Sequence, residues 1–193
     1  MATQRPILFL GPGDSGRSLS AEEFEEAEFE PRWRYEREKG RLVVMPPDSP
    51  EHDLSSEPMR DYLGAYRLAH PELVEWVVSE CWVRVDSGTD RIGDIGIFLV
   101  GDRSSLARPE RVPELMFEVV SPGRASRERD YVKKRGEYHR LGVHEYVVID
   151  RMRRRVTAYV DAAGRYRKTV LHPGGRYGSR FLPGLEVPVD NLL

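Results

Sequence analysis

Residues 115–120 read Leu-Met-Phe-Glu-Val-Val, an apolar run interrupted by one carboxylate, Glu118. An ionised carboxylate in such a run needs a partner, a metal or a shifted pKa, unless it sits at a sheet edge facing water. A second acid, Asp94, stands at the mouth of another apolar run, residues 95–100. Two carboxylates brought together in a concave site repel. They stay ionised when a hard cation sits between them, and Mg2+ takes a few carboxylate oxygens plus several waters. A lysine close by could stabilise phosphate charge or help to activate water. Asp130, Lys134 and Tyr138 follow at i, i+4 and i+8, which stacks them on one helical face. Taken alone, that trio also reads as a surface ion pair beside a core tyrosine. Acids at strand ends are common as well, so the arrangement suggests metal-assisted phosphate chemistry without proving it.

The elements that must position these groups form one unit. Residues 115–120 are a candidate buried strand, and Ser121, Pro122 and Gly123 stop it. The spacing predicts a helix over 125–141, with Ser126 as N-cap and Gly142 just past its end. Residues 143–150 read as a second strand. The run 95–100 is a third, and the short loop between it and 115–120 lets the two strands be neighbours.

Elsewhere, residues 1–18 are rich in Gly, Pro and Ser and read as a loose tail. Ser20 and Glu23 form a candidate capping box for a short helix. Residues 33–45 predict a hairpin turning near Gly40, and the proline-rich stretch 46–50 breaks it. Leu54, Met59, Tyr62, Leu63 and Tyr66 follow at helical spacing, with the regular helix expected to begin near Pro58. Residues 73–85 are one long strand or two joined near Ser79 and Glu80. Residues 101–111 read as a polar loop. Strand, turn and strand follow Asp150, and residues 182–188 are a short extended piece.

Composition bounds the class. With 193 residues, 39% hydrophobic and 32% charged, the chain suits a soluble globular fold: one domain over 19–193 after the tail. A net charge of −2 gives no global pull toward nucleic acid, so any such contact needs a local basic patch. The helix region carries one, with Arg124, Arg127 and Lys133 as candidate contacts, although acids among them also fit a solvated face. Residues 151–155 (RMRRR) are a second cluster, read most simply as a charged turn. Trp76 and Trp82 read as sheet packing. The lone Cys81 excludes a disulfide framework, and no apolar run approaches a membrane span. A cytoplasmic location is expected.

At the level of motifs the chain resembles the Uma-two family of restriction-endonuclease-like proteins, in the PD-(D/E)XK nuclease superfamily. The resemblance covers nearly the whole chain. It is densest at Glu-Val-x-Ser-Pro (118–122), Asp-x-x-x-Lys-x-x-x-Tyr (130–138) and Gly-Val-x-Glu-Tyr (142–146). It implies an α/β fold, a mixed central sheet flanked by helices with an N-terminal hairpin extension. It also implies a Mg2+ site (Mn2+ as substitute) at Asp94 and Glu118, with DNA as substrate and no small-molecule cofactor. Glu36 matches the glutamate of the family's Tyr-Glu motif, and His52 its histidine before the first long helix. Gly93 replaces the usual proline before Asp94. Val120 stands where the superfamily signature has lysine, so the resemblance points to Lys134, with Lys133 the poorer match, as the catalytic cation. Asp130, Tyr138 and Ser121 would support the site. A homodimer is expected from the superfamily habit. The alternative is a non-catalytic or protein-binding module on the same scaffold.

Overall fold

The computed structural model of the chain describes residues 7–47, 50–101 and 111–193. They fall into two compact units, Met1–Asp48 with Trp82–Ile92, and Ser49–Cys81 with Gly93–Leu193.

In the first unit β1 (Phe9–Leu10) pairs in parallel with β2 (Glu28–Phe29), and α1 (Ala21–Glu26) lies between them in the chain. The expected tail over residues 1–18 therefore fails from residue 7 onward. Leu10 is fully buried in a cluster with Leu19, Phe24, Tyr35 and Leu42, and that burial outweighs the loop-like composition around it. Residues 1–6 lie outside the described residues. The capping box forms: Ser20 Oγ accepts the Glu23 N–H at 3.0 Å, and the Glu23 carboxylate accepts the Ser20 N–H at 2.7 Å. Strands β3 (Arg34–Glu38) and β4 (Arg41–Met45) make the predicted hairpin. Lys39 and Gly40 close it, both at positive φ (52° and 74°), the two-residue geometry whose twist suits paired strands.

Two long strands, β5 (Val74–Asp86) and β6 (Thr89–Leu99), pair with each other and contribute residues to both units. The stretch expected as one strand or two is one, with Glu80 at φ 49° marking the irregularity. In the first unit β6 also meets β3, where Arg37 Nε donates to the buried Asp90 carboxylate at 2.7 Å.

The second unit opens with α2 (Pro50–Ala69). This helix begins eight residues before Pro58, which sits in its interior. Proline removes the bond to the carbonyl of Leu54. Leu54 is exposed, so water can take that carbonyl, while Met59, Leu63 and Tyr66 on the buried face anchor the helix. Of the proline-rich stretch 46–50, residues 48–49 lie outside the described residues, as do 102–110 of the expected polar loop. Arg111, at that loop's end, is buried against Glu75 at 2.6 Å.

The sheet of this unit uses β6, β7 (Leu115–Val119), β8 (Glu145–Asp150), β9 (Arg155–Asp161) and β10 (Tyr166–Leu171), in the order β10-β9-β8-β7-β6. Only β7 and β8 run parallel, so the sheet is mixed. Parallel neighbours need a crossover. It is supplied by α3 (Arg124–Glu128), a π-helical turn Arg129–Lys134 and α4 (Arg135–Leu141). Gly142 ends α4 at φ 83°, as expected. The start differs, because Gly123 at φ 113° takes the cap position and Ser126 bonds back to the Pro122 carbonyl. Strands β11 (Arg176–Ser179) and β12 (Leu182–Pro188) pair separately. Ile95, Ile97, Leu115, Phe117, Val119, Val147 and Ile149 face α2 and the C-terminal strands in one apolar core. Among the described residues no helix is long and apolar enough to cross a membrane.

Gly93 has a packing reason. A Cβ there would lie 2.2 Å from Met116 Sδ, and Met116 is fully buried. We expect Gly93→Ala to cost about 1–3 kcal/mol in urea unfolding, as overpacking does. Trimming the same chain to Met116→Val should return part of that loss, a coupling that a double-mutant cycle reads directly.

Candidate active site

Strand β7 is buried on both faces, and its alternation sends Leu115, Phe117 and Val119 into the core with α2. Glu118 therefore points to the opposite face, under the crossover helix. Lys134 Nζ meets Glu118 Oε1 at 2.9 Å, and Tyr138 Oη donates to the same oxygen at 3.0 Å. The lysine and glutamate side chains are only 1% and 2% exposed. Lys133, one residue away, is exposed. The predicted helical face thus exists, although part of it is a π turn. Val120, at the signature position for lysine, is buried just past the end of β7.

Asp94 comes from β6, and continuing the Ile95↔Phe117 register by one residue sets it opposite Glu118. Its Oδ2 accepts the Val119 N–H at 2.7 Å, which fixes the carboxylate against β7. His52 Nε2 lies 3.6 Å from the same oxygen, and His52 Nδ1 is 3.3 Å from Ser121 Oγ. Helix α2 and the turn after β7 thereby close one side of the site. Asp130 is fully buried on the π turn, with Arg129 Nε on its Oδ1 at 3.0 Å. Its Oδ2 is buried with no hydrogen-bond partner among the described residues.

The electrostatics follow from this crowding. Burial, reinforced by the charges of Asp94 and Asp130, pushes Glu118 up to about 8 against the opposing pull of Lys134. Burial likewise raises Asp130, against Lys134 and Arg129. Three carboxylates and two cations, one of them partly exposed, thus share the site, and the raised values mean that it relieves the crowding by holding protons.

The structure so brings together Asp94, Glu118, Lys134, Tyr138, Asp130, His52 and Ser121. Glu36 belongs to the first unit, where its buried carboxylate accepts from Arg91 at 3.1 Å and from the Ile92 N–H at 3.1 Å. It is thus an anchor for the backbone of β6 two residues before Asp94. Arg124 and Lys133 are exposed and Arg127 is half-buried on the crossover. Sequence reasoning missed Tyr146, whose hydroxyl donates to the Asp130 carbonyl at 2.9 Å. Its place in the Gly-Val-x-Glu-Tyr motif was the available signal.

Among the described residues no three His, Cys, Asp or Glu side chains converge as a ready-made metal cage. The donor set fits a cation that keeps several waters and takes one or two carboxylates, as Mg2+ does. The orphaned Asp130 oxygen favours that fit. Asp94 and Glu118 would hold the ion.

A mixed sheet with an acid on each of two neighbouring strands and a lysine from the crossover defines a restriction-endonuclease-like protein. The chain belongs to the Uma2 family: that family's model, described as “Putative restriction endonuclease”, matches residues 21–190. No curated protein matches the chain. Among solved structures it is similar to a protein from Anabaena variabilis described as a putative nuclease belonging to DUF820. The TM-score is 0.72 at 14% identity, covering 90% of this chain and 97% of that one. That likeness establishes the fold.

Removing the lysine tests how the buried acid is held. Breaking a buried pair leaves an uncompensated charge and costs about 3–5 kcal/mol. Folded Glu118 sits above its ordinary value of 4.5, so the folded state keeps a proton that the unfolded chain releases. Its contribution to stability is therefore full below 4.5 and lost as pH rises through about 8. In Lys134→Met the folded value climbs further. Urea unfolding from about pH 5 to about pH 9 should show the deficit against wild type growing with pH. A deficit independent of pH would contradict the assignment.

Proposed function

We propose that the chain is an endonuclease that hydrolyses DNA phosphodiester bonds with a divalent cation of the Mg2+ type. Membership of the Uma2 family supports a nuclease-like function. The observation that carries the finer reading is the meeting of Lys134 with Glu118 beside Asp94, on neighbouring strands of one sheet. When bound, the cation supplies Lewis acidity toward a phosphate oxygen and lowers the pKa of water.

The protein's own groups do the rest. Asp94 is fixed by the Val119 N–H and Glu118 by Tyr138, so neither acid needs to reorganise as substrate arrives. Lys134 delivers a positive charge at the same acid, where it can offset charge developing on the phosphate. Its four-methylene stem lets a helical position replace the strand position that Val120 occupies. Asp130, buried on the π turn one turn before Lys134, acts on the ammonium through its charge rather than through a hydrogen bond. His52 links Ser121 to Asp94 and holds the entrance side. Glu36 positions β6.

The alternative, a binding module on the same scaffold, is favoured by the depth at which the Lys134 ammonium is sequestered by Glu118. Calorimetry and cleavage separate the two. Mn2+ should bind wild type and bind Asp94→Ala far more weakly. Plasmid cleavage with Mg2+ should fall about 100-fold or more in Lys134→Ala, the range for losing transition-state charge stabilisation. Lys133→Ala should cut like wild type. An inactive wild type across several metals and DNA forms would transfer the case to the binding module.

Cutting both strands of a duplex takes two such centres, the reason to expect a homodimer. Light scattering should return twice the chain mass of 22.2 kDa.

A further inference from the structure

The crossover that carries Lys134 has a second face. Its inner face holds Asp130, Lys134 and Tyr138 in the buried site. Its outer face, together with β9, β10 and the turn before β9, walls a cleft of about 570 Å3. Six cations line it: Arg124, Arg127, Arg135, Arg153, Arg155 and Lys168. Glu128 is the single acid among the lining residues. Of the six, only Arg153 has a carboxylate within ion-pair distance among the described residues, Asp150 at 3.9 Å. In a chain of net charge −2 this is a sharp local excess of positive charge.

The cleft is also organised. Two tyrosines of the lining carry arginines on their rings: the Arg135 guanidinium lies 5.6 Å from the centre of Tyr159, and that of Arg155 lies 5.3 Å from Tyr131. Cation–π attraction of this kind helps to hold a guanidinium in place. Tyr131 is itself tied to Asp150 at 3.3 Å, so its platform has a fixed base. Arg155 Nε is buried with no hydrogen-bond partner among the described residues, although the same guanidinium also acts on the Tyr131 hydroxyl. The β-strand register places Lys168 across from Tyr159 and completes the far wall.

Planar guanidinium forks match the oxygens of a phosphate better than any other common anion apart from a carboxylate. An arginine lies over each of these two rings, so the cleft presents cations rather than aromatic faces. We infer that this cleft binds the phosphate backbone of a nucleic-acid strand, without base specificity, at a place separate from the bond-breaking site. The identity of the partner rests on the endonuclease reading, and the cleft would anchor the strand beyond the cut. Because cleft and Lys134 lie on opposite faces of one short helical segment, a strand held outside is held near the lysine's own backbone.

Fluorescence anisotropy in EDTA reads binding without cleavage, using a labelled single strand and its duplex. Wild type should bind both, more weakly as salt rises. Arg124→Gln with Arg127→Gln should weaken binding by about tenfold. It should also lower the slope of log affinity against log salt by about 1.4 for the single strand, two phosphate contacts' worth. Lys168→Gln, on a different element, should lower that slope by about 0.7. Arg176→Gln, an exposed arginine away from the cleft, should leave it unchanged. Unchanged binding in both cleft variants overturns the inference, as does a wild type that binds neither nucleic acid. Binding of tripolyphosphate or polyglutamate in place of DNA overturns it too, assigning the cleft to a small phosphorylated ligand or an acidic peptide. Cleft-dependent binding by a protein that cuts nothing would sink the endonuclease reading alone. Normal cutting with cleft variants that bind like wild type would sink the cleft alone.

Discussion

A lysine and a glutamate in contact at 1% and 2% exposure set the terms for the second unit. Taking two charges out of water costs several kcal/mol per ion, and their attraction offsets that only when geometry and further hydrogen bonds are good. The surrounding architecture meets those conditions. Strand β7 has a neighbour on each side, so Glu118 cannot reach bulk water from an edge. The parallel pairing of β7 with β8 demands a crossover, and the crossover passes over Glu118 with Lys134 and Tyr138 aimed at one oxygen. Glu145, the buried acid of β8, is met differently, by the hydroxyls of Tyr177 and Ser179. The same sheet thus keeps one acid with hydroxyl donors and gives the other a cation.

The π turn belongs to this arrangement. Wider turns are rare in helices and concentrate where a side chain must be placed at some cost to regularity. Here the turn spans Arg129–Lys134 and buries its two acid–base residues while Lys133 stays in water. Tyr146 caps the carbonyl of Asp130 from the sheet, which compensates one of the backbone groups that an irregular turn leaves poorly served. Helix and sheet are joined by polar contacts at the very residues that carry charge.

Much of this was legible in the sequence, and for local reasons. Glu118 stood out because an acid in an apolar strand has few explanations, and the helical spacing of Asp130, Lys134 and Tyr138 survived the π turn. Ser20 with Glu23, Lys39 with Gly40, and Gly142 were readable because each motif is contained in a few residues. What was not legible depends on distant parts of the chain. Residues 7–18 read as a tail because composition does not show that Leu10 is buried beside Leu42. Pro58 looked like a helix start because the anchoring face of α2 is supplied by the sheet. The partners of Glu36, Arg91 and the Ile92 N–H, stand more than fifty residues away in the chain and were not readable from its Tyr-Glu motif. The cluster 151–155 read as a charged turn, and it is one at Arg151–Arg154. That Arg153 and Arg155 share a cleft with Lys168 needs the β9–β10 pairing.

The contact of Gly93 with Met116 ties two positions on neighbouring strands together. Position 93 carries no side chain, and the space beside it is filled by a thioether. The two are therefore not independent: a side chain can enter at 93 only if something smaller stands at 116, and methionine is admitted at 116 because 93 is bare. What either position tolerates is decided by the other.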